Sequence, residues 1–453
     1  MLNAIDSPTT ATRMCIDFGT ALSKVSVCID PYLPLPVGVR PLAIGAVAGA
    51  EHPLLTPSVM FVEGGRLFFG PQALELASKG VEEERDALLS FKIVLGAEDI
   101  DRALLQRLPG TIDPTGTLRE RDALVLYLAY LDQLILEALH RSETMPPGVA
   151  QAPRRFTSPV WRQGSAVEHA MRIVFNEAAA VSAKLGRLFL APEGISLAQC
   201  KNALDYAITS PIDARLETGI FEPHAAAAAA LAYSVTPVRF VLVFDMGAGT
   251  TDLAAFDFNE TADPPSLTEI REARWCSALA GDEVDRVLIN MLLARRGAAP
   301  GSVEEGRFLR AARLGARDMK RELFESGRCH LKEGWRTTGV RREELFEDPG
   351  FRGFTRALGD AIGASLAAVA HRARPAGADI IDVVLAGGGS ALPFLPDLVR
   401  ASAPPNLGAI QLRIEPLSPT SELYAGIDDY FSDVFPQIAM SIGGALVEML
   451  SPE

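Results

Sequence analysis

Apolar residues alternate with small or polar residues on both sides of short glycine turns at several places in the chain. Residues 14–30 (MCIDFGTALSKVSVCID) alternate in this way around a Gly-Thr turn, and residues 241–258 (VLVFDMGAGTTDLAAFDF) place a glycine-rich turn between two apolar runs. In residues 55–70, Gly64 and Gly65 separate two further runs, and paired glycines suit the tight turns of hairpins. The alternation predicts a β-hairpin at each of the three places.

Other stretches have the three-to-four-residue spacing of helices. Apolar residues recur at this spacing in residues 119–142, and basic residues recur at it in residues 304–326. Residues 224–233 (HAAAAAALAY) are rich in alanine, which has the highest helix propensity. Residues 380–402 have the pattern of a buried strand, a glycine turn and a helix, and residues 435–450 that of an apolar helix. Strands and helices alternate along the chain, which predicts an α/β protein.

Charge and composition narrow the function classes. The 453 residues carry a formal net charge of -14, so we expect no binding to duplex nucleic acid or to an anionic membrane. The basic face within residues 304–326 either contacts an anion or is a solvated surface paired with acids. The five cysteines form no C-x-x-C pair, which predicts reduced thiols and no zinc site. The sequence has no export signal pattern and no run of about 18 uninterrupted apolar residues, so we expect a cytoplasmic location.

The first and the third strand-turn-strand patterns along the chain share a motif. CIDFGTALSKVSV (15–27) and VFDMGAGTTDLAAF (243–256) both read strand, Asp, any residue, Gly, turn, strand. Glycine turns can aim several backbone N–H groups at one phosphate, and nearby carboxylates hold Mg²⁺ at the phosphates through its waters. The pattern predicts two similar halves that grip one polyphosphate. A glycine hairpin with a flanking Asp is also common as a purely structural feature, so each turn alone leaves both interpretations open.

Other phosphate-binding motifs fit less well. The dinucleotide-binding motif requires a helix after its glycines, but residues 253–258 continue as a strand. The Walker pattern G-x-x-x-x-G-K-[ST] does not occur.

Several segments, in the same order, resemble the superfamily of actin, sugar kinases and DnaK-type heat-shock chaperones. CIDFGTALSKV resembles its first phosphate loop, VFDMGAGTTDL its second, and VVLAGGGSALP its adenosine-contacting segment. TPSVMFVEGGRLFFG, SFKIVLG, FEPHAAAAAALAY, LAGDEVD and RREELFEDPGFRGF are similar to connecting segments of the chaperones' nucleotide-binding domain. The resemblance extends over residues 14–448, nearly the whole chain.

The resemblance implies an actin-like ATPase fold with two ribonuclease-H-like lobes around a nucleotide cleft. Lobe I would comprise residues 1–237, with a core of 13–45 and 115–237 and a small subdomain of about 46–114. Lobe II would comprise residues 238–453, with a core of 238–280 and 346–453 and a small subdomain of about 281–345.

The resemblance also implies site residues for ATP or ADP with Mg²⁺. Asp17 and Asp245 would hold Mg²⁺, mainly through water, Lys92 would stabilise charge at the γ-phosphate, and Glu222 would orient water. Thr250 would belong to the catalytic group. Contacts to the nucleotide would come from Gly19, Thr20, Gly247, Ala248, Gly249, Thr250, Thr251, Asp252, Gly281, Lys320, Arg321, Gly387, Gly388, Gly389 and Ser390. Lys92 also fits a surface lysine, and Glu222 also fits a residue that merely precedes the proline of a helix start.

Three positions depart from the chaperones at the nucleoside end. Arg317 stands where they carry a ribose-contacting glutamate, Phe324 where they carry a serine, and Ala391 where they carry an arginine that stacks on adenine. Asp318 is an acid that could replace the glutamate. The phosphate end therefore matches better than the base end.

The function expected from the resemblance is a slow ATPase that acts as a nucleotide-dependent switch on a protein partner. The chaperones' peptide-binding domain is not expected in this chain, and the role of the extra segment 188–219 is left open, with a partner surface as one interpretation. The alternatives are a non-hydrolysing nucleotide-binding scaffold, a small-molecule kinase of the same superfamily, and an actin-like or cell-division assembly protein.

Overall fold

The computed structural model of the protein has a mixed α/β fold. It describes residues 12–30, 33, 37–81, 84–142, 145–158, 165–217, 219–233, 239–259, 266–418 and 430–446. The chain forms two compact units. The first comprises residues 1–76, 87–235 and 418–450, and the second comprises residues 77–86, 236–417 and 451–453.

The first unit is built on a sheet with the strand order β3-β2-β1-β7-β9 and β4 beside β2. A second, smaller sheet has the order β5-β6-β8. Up to residue 221, the described strands are β1 (Arg13–Phe18), β2 (Leu22–Cys28), β3 (Val39–Pro41), β4 (Thr56–Pro57), β5 (Met60–Glu63), β6 (Arg66–Phe69), β7 (Arg154–Ser158), β8 (Ile195–Ser196) and β9 (Ile220–Phe221). β1 and β2 form the predicted antiparallel hairpin, and β7 pairs parallel with β1.

The second predicted hairpin, β5–β6, turns at Gly64 and Gly65. Both glycines have positive φ, of 53° and 72°. This is the backbone that a primed two-residue turn requires and that glycine adopts without steric cost, which is why the paired glycines identified the hairpin.

The strands of the first unit alternate with helices along the chain. The helices are α1 (Gly70–Gly80), α2 (Ile100–Leu104), α3 (Glu120–Arg141), α4 (Ala166–Leu185), α5 (Leu197–Thr209) and α6 (Glu222–Tyr233), with a 3-10 helix over Phe91–Gly96. α3 is the helix predicted for residues 119–142, and its apolar side chains lie in the core. By length and composition α3 could cross a membrane, but most of it is buried inside this unit.

The main sheet of the second unit has the same strand order as the main sheet of the first. The described strands of the second unit are β10 (Phe240–Met246), β11 (Thr251–Asn259), β12 (Ser266–Ser277), β13 (Arg328–Glu333), β14 (Arg336–Arg341), β15 (Ile380–Ala386) and β16 (Gln411–Pro416). β13 and β14 form a separate hairpin, and the main sheet has the order β12-β11-β10-β15-β16. Its helices are α7 (Gly281–Arg296), α8 (Val303–Ser326), α9 (Arg342–Glu347), α10 (Pro349–Ala373) and α11 (Leu395–Ala401).

The pairing directions of the two main sheets also agree. In each unit the first three strands are antiparallel neighbours, and the fourth pairs parallel with the first. The fifth strand then pairs parallel with the fourth. The motif shared by residues 15–27 and 243–256 therefore lies at the same place in two sheets of the same topology.

The last described helix, α12 (Tyr430–Ala445), packs in the first unit although lobe II was predicted to run to residue 453. Small residues let α12 approach its neighbours closely. A Cβ on Gly443 would clash with the Ala225 carbonyl of α6, and a Cβ on Gly444 would clash with the Cys15 thiol of β1. Ser441 and Ser26 share a buried hydrogen bond of 2.8 Å. Close backbone packing thus places this helix, which its apolar composition alone could not do.

Candidate functional site

The first glycine turn joins β1 to β2 and is fixed from one side by Ser58. The Ser58 hydroxyl donates to the Gly19 carbonyl at 2.8 Å, and the Ser58 N–H donates to the Ala21 carbonyl at 2.9 Å. In a planar trans peptide the N–H lies opposite the carbonyl, so the Thr20 N–H points away from Ser58. No described residue accepts a hydrogen bond from the Thr20 or Ala21 N–H. The turn therefore leaves these two donors available to an anion or to water.

Asp17 ends β1 beside this turn, and both of its carboxylate oxygens are engaged. The Lys24 ammonium donates to Oδ2 at 2.9 Å, and the Thr157 hydroxyl of β7 donates to Oδ1 at 2.8 Å. Asp17 is 2% exposed and Lys24 is 8% exposed. The antiparallel register places Lys24 directly opposite Asp17.

Lys24 was not among the predicted site residues. Its signal in the sequence is a lysine inside the alternating apolar pattern of a strand, seven residues after the acid. Only pairing of the two strands across the turn shows that the two side chains meet.

The second glycine turn, residues 247–250, joins β10 to β11 and is fixed by the first residues of α7. The Gly281 N–H donates to the Gly247 carbonyl at 3.1 Å, and the Asp282 N–H donates to the Ala248 carbonyl at 2.8 Å. The N–H groups of the same two peptide units, on Ala248 and Gly249, consequently point away from α7. Of the described residues, none accepts from the N–H of Ala248, Gly249 or Thr250. Three consecutive donors at a glycine turn are the arrangement that binds phosphate.

Two buried acids flank the second turn. Asp245 is 3% exposed and Asp252 is 1% exposed, and the register places them directly opposite each other. Thr251, which was predicted to contact the nucleotide, donates its hydroxyl to the Leu279 carbonyl at 2.7 Å. This bond ties β11 to the segment that leads into α7.

Lys320 of α8 lies at the start of α7. Its ammonium donates to the Gly281 carbonyl at 3.0 Å and to Asp285 at 2.9 Å. A Cβ built on Gly281 would come within 3.3 Å of this ammonium and 3.1 Å of the Gly247 carbonyl. Gly281 is therefore a close-packing position between the turn and α8. Arg321, the neighbour of Lys320, instead pairs with Asp318 on the surface of α8.

Burial and neighbouring charges shift the pKa values of two acids at the start of α7. Burial and the neighbouring Asp285 raise the pKa of Asp282 to about 6, although Lys320 opposes the shift. Burial likewise raises the pKa of Asp285, against the effect of Lys320 and Arg317. The backbone N–H of Asp282 binds the second turn, and the charge of its side chain changes near pH 6.

The third glycine turn follows β15 and lies against Asp245. Gly387 has a φ of 76°, and a Cβ there would clash with the Asp245 carboxylate and the Met246 carbonyl. A Cβ on Gly389 would clash with the Met246 side chain. The Ser390 hydroxyl, predicted to contact the nucleotide, donates to the Gly387 carbonyl at 2.8 Å, and Gly388 is exposed. The second and third predicted turns therefore meet in one place in the second unit.

Lys92 and Glu222 form an ion pair in the first unit. Lys92 lies in the 3-10 helix after Ser90, Glu222 is the first residue of α6, and their side chains are about 10% exposed. Neither is a surface group. Lys92 and Glu222, which the resemblance assigns to charge stabilisation and to water orientation, thus contact each other directly.

The residues around the two turns differ in how they fit Mg²⁺. No described group of three or more His, Cys, Asp or Glu side chains could hold a metal ion by itself. Asp17 accepts from an ammonium and a hydroxyl, so it does not fit a Mg²⁺ ligand in this arrangement. Asp245 and Asp252 supply two buried carboxylates, the donor type that Mg²⁺ takes together with phosphate oxygens. They fit the ion.

Of the three residues that differ from the chaperones at the nucleoside end, one is buried and two are exposed. Phe324 of α8 is buried against Phe346 and Phe394, with ring centroids 6.3 and 5.8 Å apart, and Phe351 joins the same cluster. Arg317 and Ala391 are exposed. Phe324 is therefore a core residue between α8, α9 and α11.

No protein-family model matches this chain.

Proposed function

We propose that this protein binds a nucleoside triphosphate at its glycine turns, hydrolyses it slowly, and acts as a nucleotide-dependent switch on a protein partner. The proposal is supported most strongly by the N–H groups of the second turn. Its Ala248, Gly249 and Thr250 N–H groups have no described acceptor, and the anchoring of the turn's carbonyls on α7 directs the first two away from that helix. Such preoriented donors bind phosphate without the cost of reorganisation.

The repeated sheet supports the actin-like ATPase fold as part of this proposal. Both units have the same five-strand order, and in both a glycine turn with an adjacent buried acid follows the first strand. The resemblance of the three glycine segments to the phosphate and adenosine loops of that superfamily points in the same direction.

In this proposal, different residues of the chain serve nucleotide binding and hydrolysis. The turn amides bind phosphate oxygens, and the Lys92 ammonium neutralises charge that develops on the terminal phosphate. Glu222, which holds Lys92 in the absence of ligand, accepts a hydrogen bond from the attacking water once Lys92 turns to the phosphate. Asp245 and Asp252 would hold Mg²⁺, which would supply positive charge to the phosphate oxygens.

A second candidate function is nucleotide binding with little turnover. The direct ion pair of Lys92 with Glu222 favours it, because both side chains must separate before either can act on a phosphate. A binding protein of this kind would also signal to a partner, but by occupancy rather than by hydrolysis.

Calorimetry with ATP and with ADP tests binding, and single-turnover hydrolysis of the bound ATP separates the two candidates. We expect Lys92→Met to lower the hydrolysis rate by about a hundredfold or more and to leave the ATP Kd within threefold. Lys201→Met, at an exposed lysine of α5, is the matched control and leaves both values unchanged. Absence of ATP binding contradicts the whole proposal. Binding without hydrolysis in the unmodified protein leaves the second candidate function.

A further inference from the structure

Two neighbouring arginines on the exposed side of α8 have no acidic partner. Arg313 and Arg317 are four residues apart and both are exposed, so their side chains are neighbours on one face of the helix. Of the described residues, none forms an ion pair or a hydrogen bond with either guanidinium group. Since the chain carries 57 acidic and 43 basic residues, the two groups are left unpaired although acids are in excess.

The pair lies next to the second glycine turn. Lys320, which lies three residues after Arg317, donates to the Gly281 carbonyl at 3.0 Å. The Gly281 N–H in turn donates to the Gly247 carbonyl of the turn at 3.1 Å. A helix rises about 1.5 Å per residue, so Arg317 and Arg313 lie about 4.5 and 10.5 Å along the axis from Lys320. All of these residues belong to the second unit.

The acids closest to the pair are engaged by other basic residues. Asp318 pairs with Arg321, and Asp285 pairs with Lys320. Burial raises the pKa of Asp285, and the charges of Lys320 and Arg317 oppose this shift, so Arg317 lies close to Asp285. The Asp285 Oδ1 atom nevertheless has no described hydrogen-bond partner. The N–H donors of Arg317 are therefore available to a ligand.

The chemistry of the pair suits a phosphate group. A guanidinium has five N–H donors in a planar arrangement that matches two phosphate oxygens at once. Two such groups, about one helical turn apart, can bind one phosphate from two directions. Arg317 also stands where the chaperones carry a ribose-contacting glutamate, which can accept hydrogen bonds from sugar hydroxyls. A guanidinium has no acceptor, so at that place it favours an anionic group on the sugar.

We propose that Arg313 and Arg317 bind a phosphate on the ribose of the nucleotide. The phosphate chain of the same nucleotide lies at the second glycine turn, beside Lys320. The preferred ligand is thus a nucleotide that carries phosphate at the 5′ position and also at the 2′ or 3′ position of its ribose, whereas ATP binds without this contact. This inference rests on the proposed nucleotide binding and adds the class of ligand.

The first test is calorimetry with ATP, AMP, adenosine 2′,5′-bisphosphate and adenosine 3′,5′-bisphosphate. We expect at least one of the two bisphosphates to bind tenfold or more tightly than AMP, because the added phosphate makes charge-assisted hydrogen bonds. The two isomers carry the same charge, so a difference between them identifies the ribose position that the arginines recognise. If AMP binds too weakly to measure, the highest AMP concentration used sets the lower limit of its Kd.

Arg317→Met and Arg313→Met test the two side chains one at a time. The measured quantity is the ratio of the Kd of the tighter bisphosphate to the Kd of ATP, and each variant is expected to raise it at least fivefold. Arg317→Lys keeps a positive charge but loses the planar donor arrangement, so we expect a smaller rise. Arg356→Met, at an exposed arginine of α10, makes the same change of charge on a different helix and should leave the ratio unchanged. Circular dichroism checks that each variant is folded.

The outcomes separate this inference from the proposed function. No ATP binding by the unmodified protein contradicts both together. ATP binding without a tenfold gain for either bisphosphate over AMP overturns the inference alone. A rise of less than fivefold in either methionine variant of α8 also overturns it, and so does an equal rise in Arg356→Met.

Discussion

The two hairpin turns lie at the same place in two sheets of the same topology, yet they carry opposite charge patterns. The first pairs Asp17 with Lys24, and the second pairs Asp245 with Asp252. The first pair is neutral as a unit, while the second is doubly negative when both acids are ionised. The repeated backbone therefore places a buried acid beside each glycine turn, and the residue opposite that acid differs in charge between the two turns.

The two turns are also held by different means. One serine, Ser58, binds both anchored carbonyls of the first turn, whereas the first two N–H groups of α7 bind those of the second. In both cases an anchored carbonyl turns the N–H group of the same peptide unit to the opposite side, as for Thr20 in the first turn and for Ala248 and Gly249 in the second. The same outcome from two different anchors indicates that the direction of these N–H groups is the shared requirement.

The largest effect should come from breaking the first pair. Lys24→Met leaves Asp17 buried without its cation, so we expect the free energy of unfolding to fall by about 3–5 kcal/mol. Urea unfolding followed by circular dichroism measures it. Adding Asp17→Asn removes the uncompensated charge and should recover most of the loss. A loss below 1 kcal/mol in the single variant would show that water, rather than Lys24, compensates Asp17.

A smaller effect of opposite sign is expected at the corresponding position of the second turn. Asp252→Asn removes one of two like charges directly opposite each other, so we expect the ligand-free protein to gain about 0.2–1 kcal/mol. The same urea titration without nucleotide or Mg²⁺ detects it. A clear loss of stability would mean that the two acids are not both ionised in the free protein.

The smallest effect concerns pH at the second turn. With its pKa raised to about 6, Asp282 is mostly neutral at pH 5 and charged at pH 7.5, where its charge opposes a phosphate at Ala248. We expect Asp282→Asn to strengthen ATP binding about twofold to fivefold at pH 7.5 and to have little effect at pH 5. Because the variant is compared with the unmodified protein at the same pH, the effect of ATP's own protonation on the Kd cancels. An equal change in ATP affinity at both pH values would show that the substitution acts through packing rather than through charge.

The sequence predicted those parts of the fold that depend on local pattern. Period-two alternation around glycine identified three hairpins, and helical spacing identified α3 and α8 within one residue of their observed ends. The motif shared by the two turns predicted the repeat. These features follow from neighbours along the chain, where periodicity carries the information.

Features that depend on distant contacts could not be predicted in this way. α12 is apolar in sequence, but its place in the first unit depends on Gly443 and Gly444 meeting residues more than two hundred positions away. Lys92 and Glu222 were both named, yet their direct ion pair was not foreseen. The role of Lys24 required the register of β1 and β2, and Phe324 required the aromatic cluster that buries it.

Hydrogen–deuterium exchange with and without ATP tests the central claim most directly, because it reports on the turn amides themselves. We predict slower exchange in peptides that contain residues 19–21 and 247–250 when ATP is present. The β13–β14 hairpin, whose Gly334 turn lies outside the site, should not change and serves as the internal control. Unchanged exchange at both turns under conditions where ATP is bound would contradict the account, since the nucleotide would then bind elsewhere.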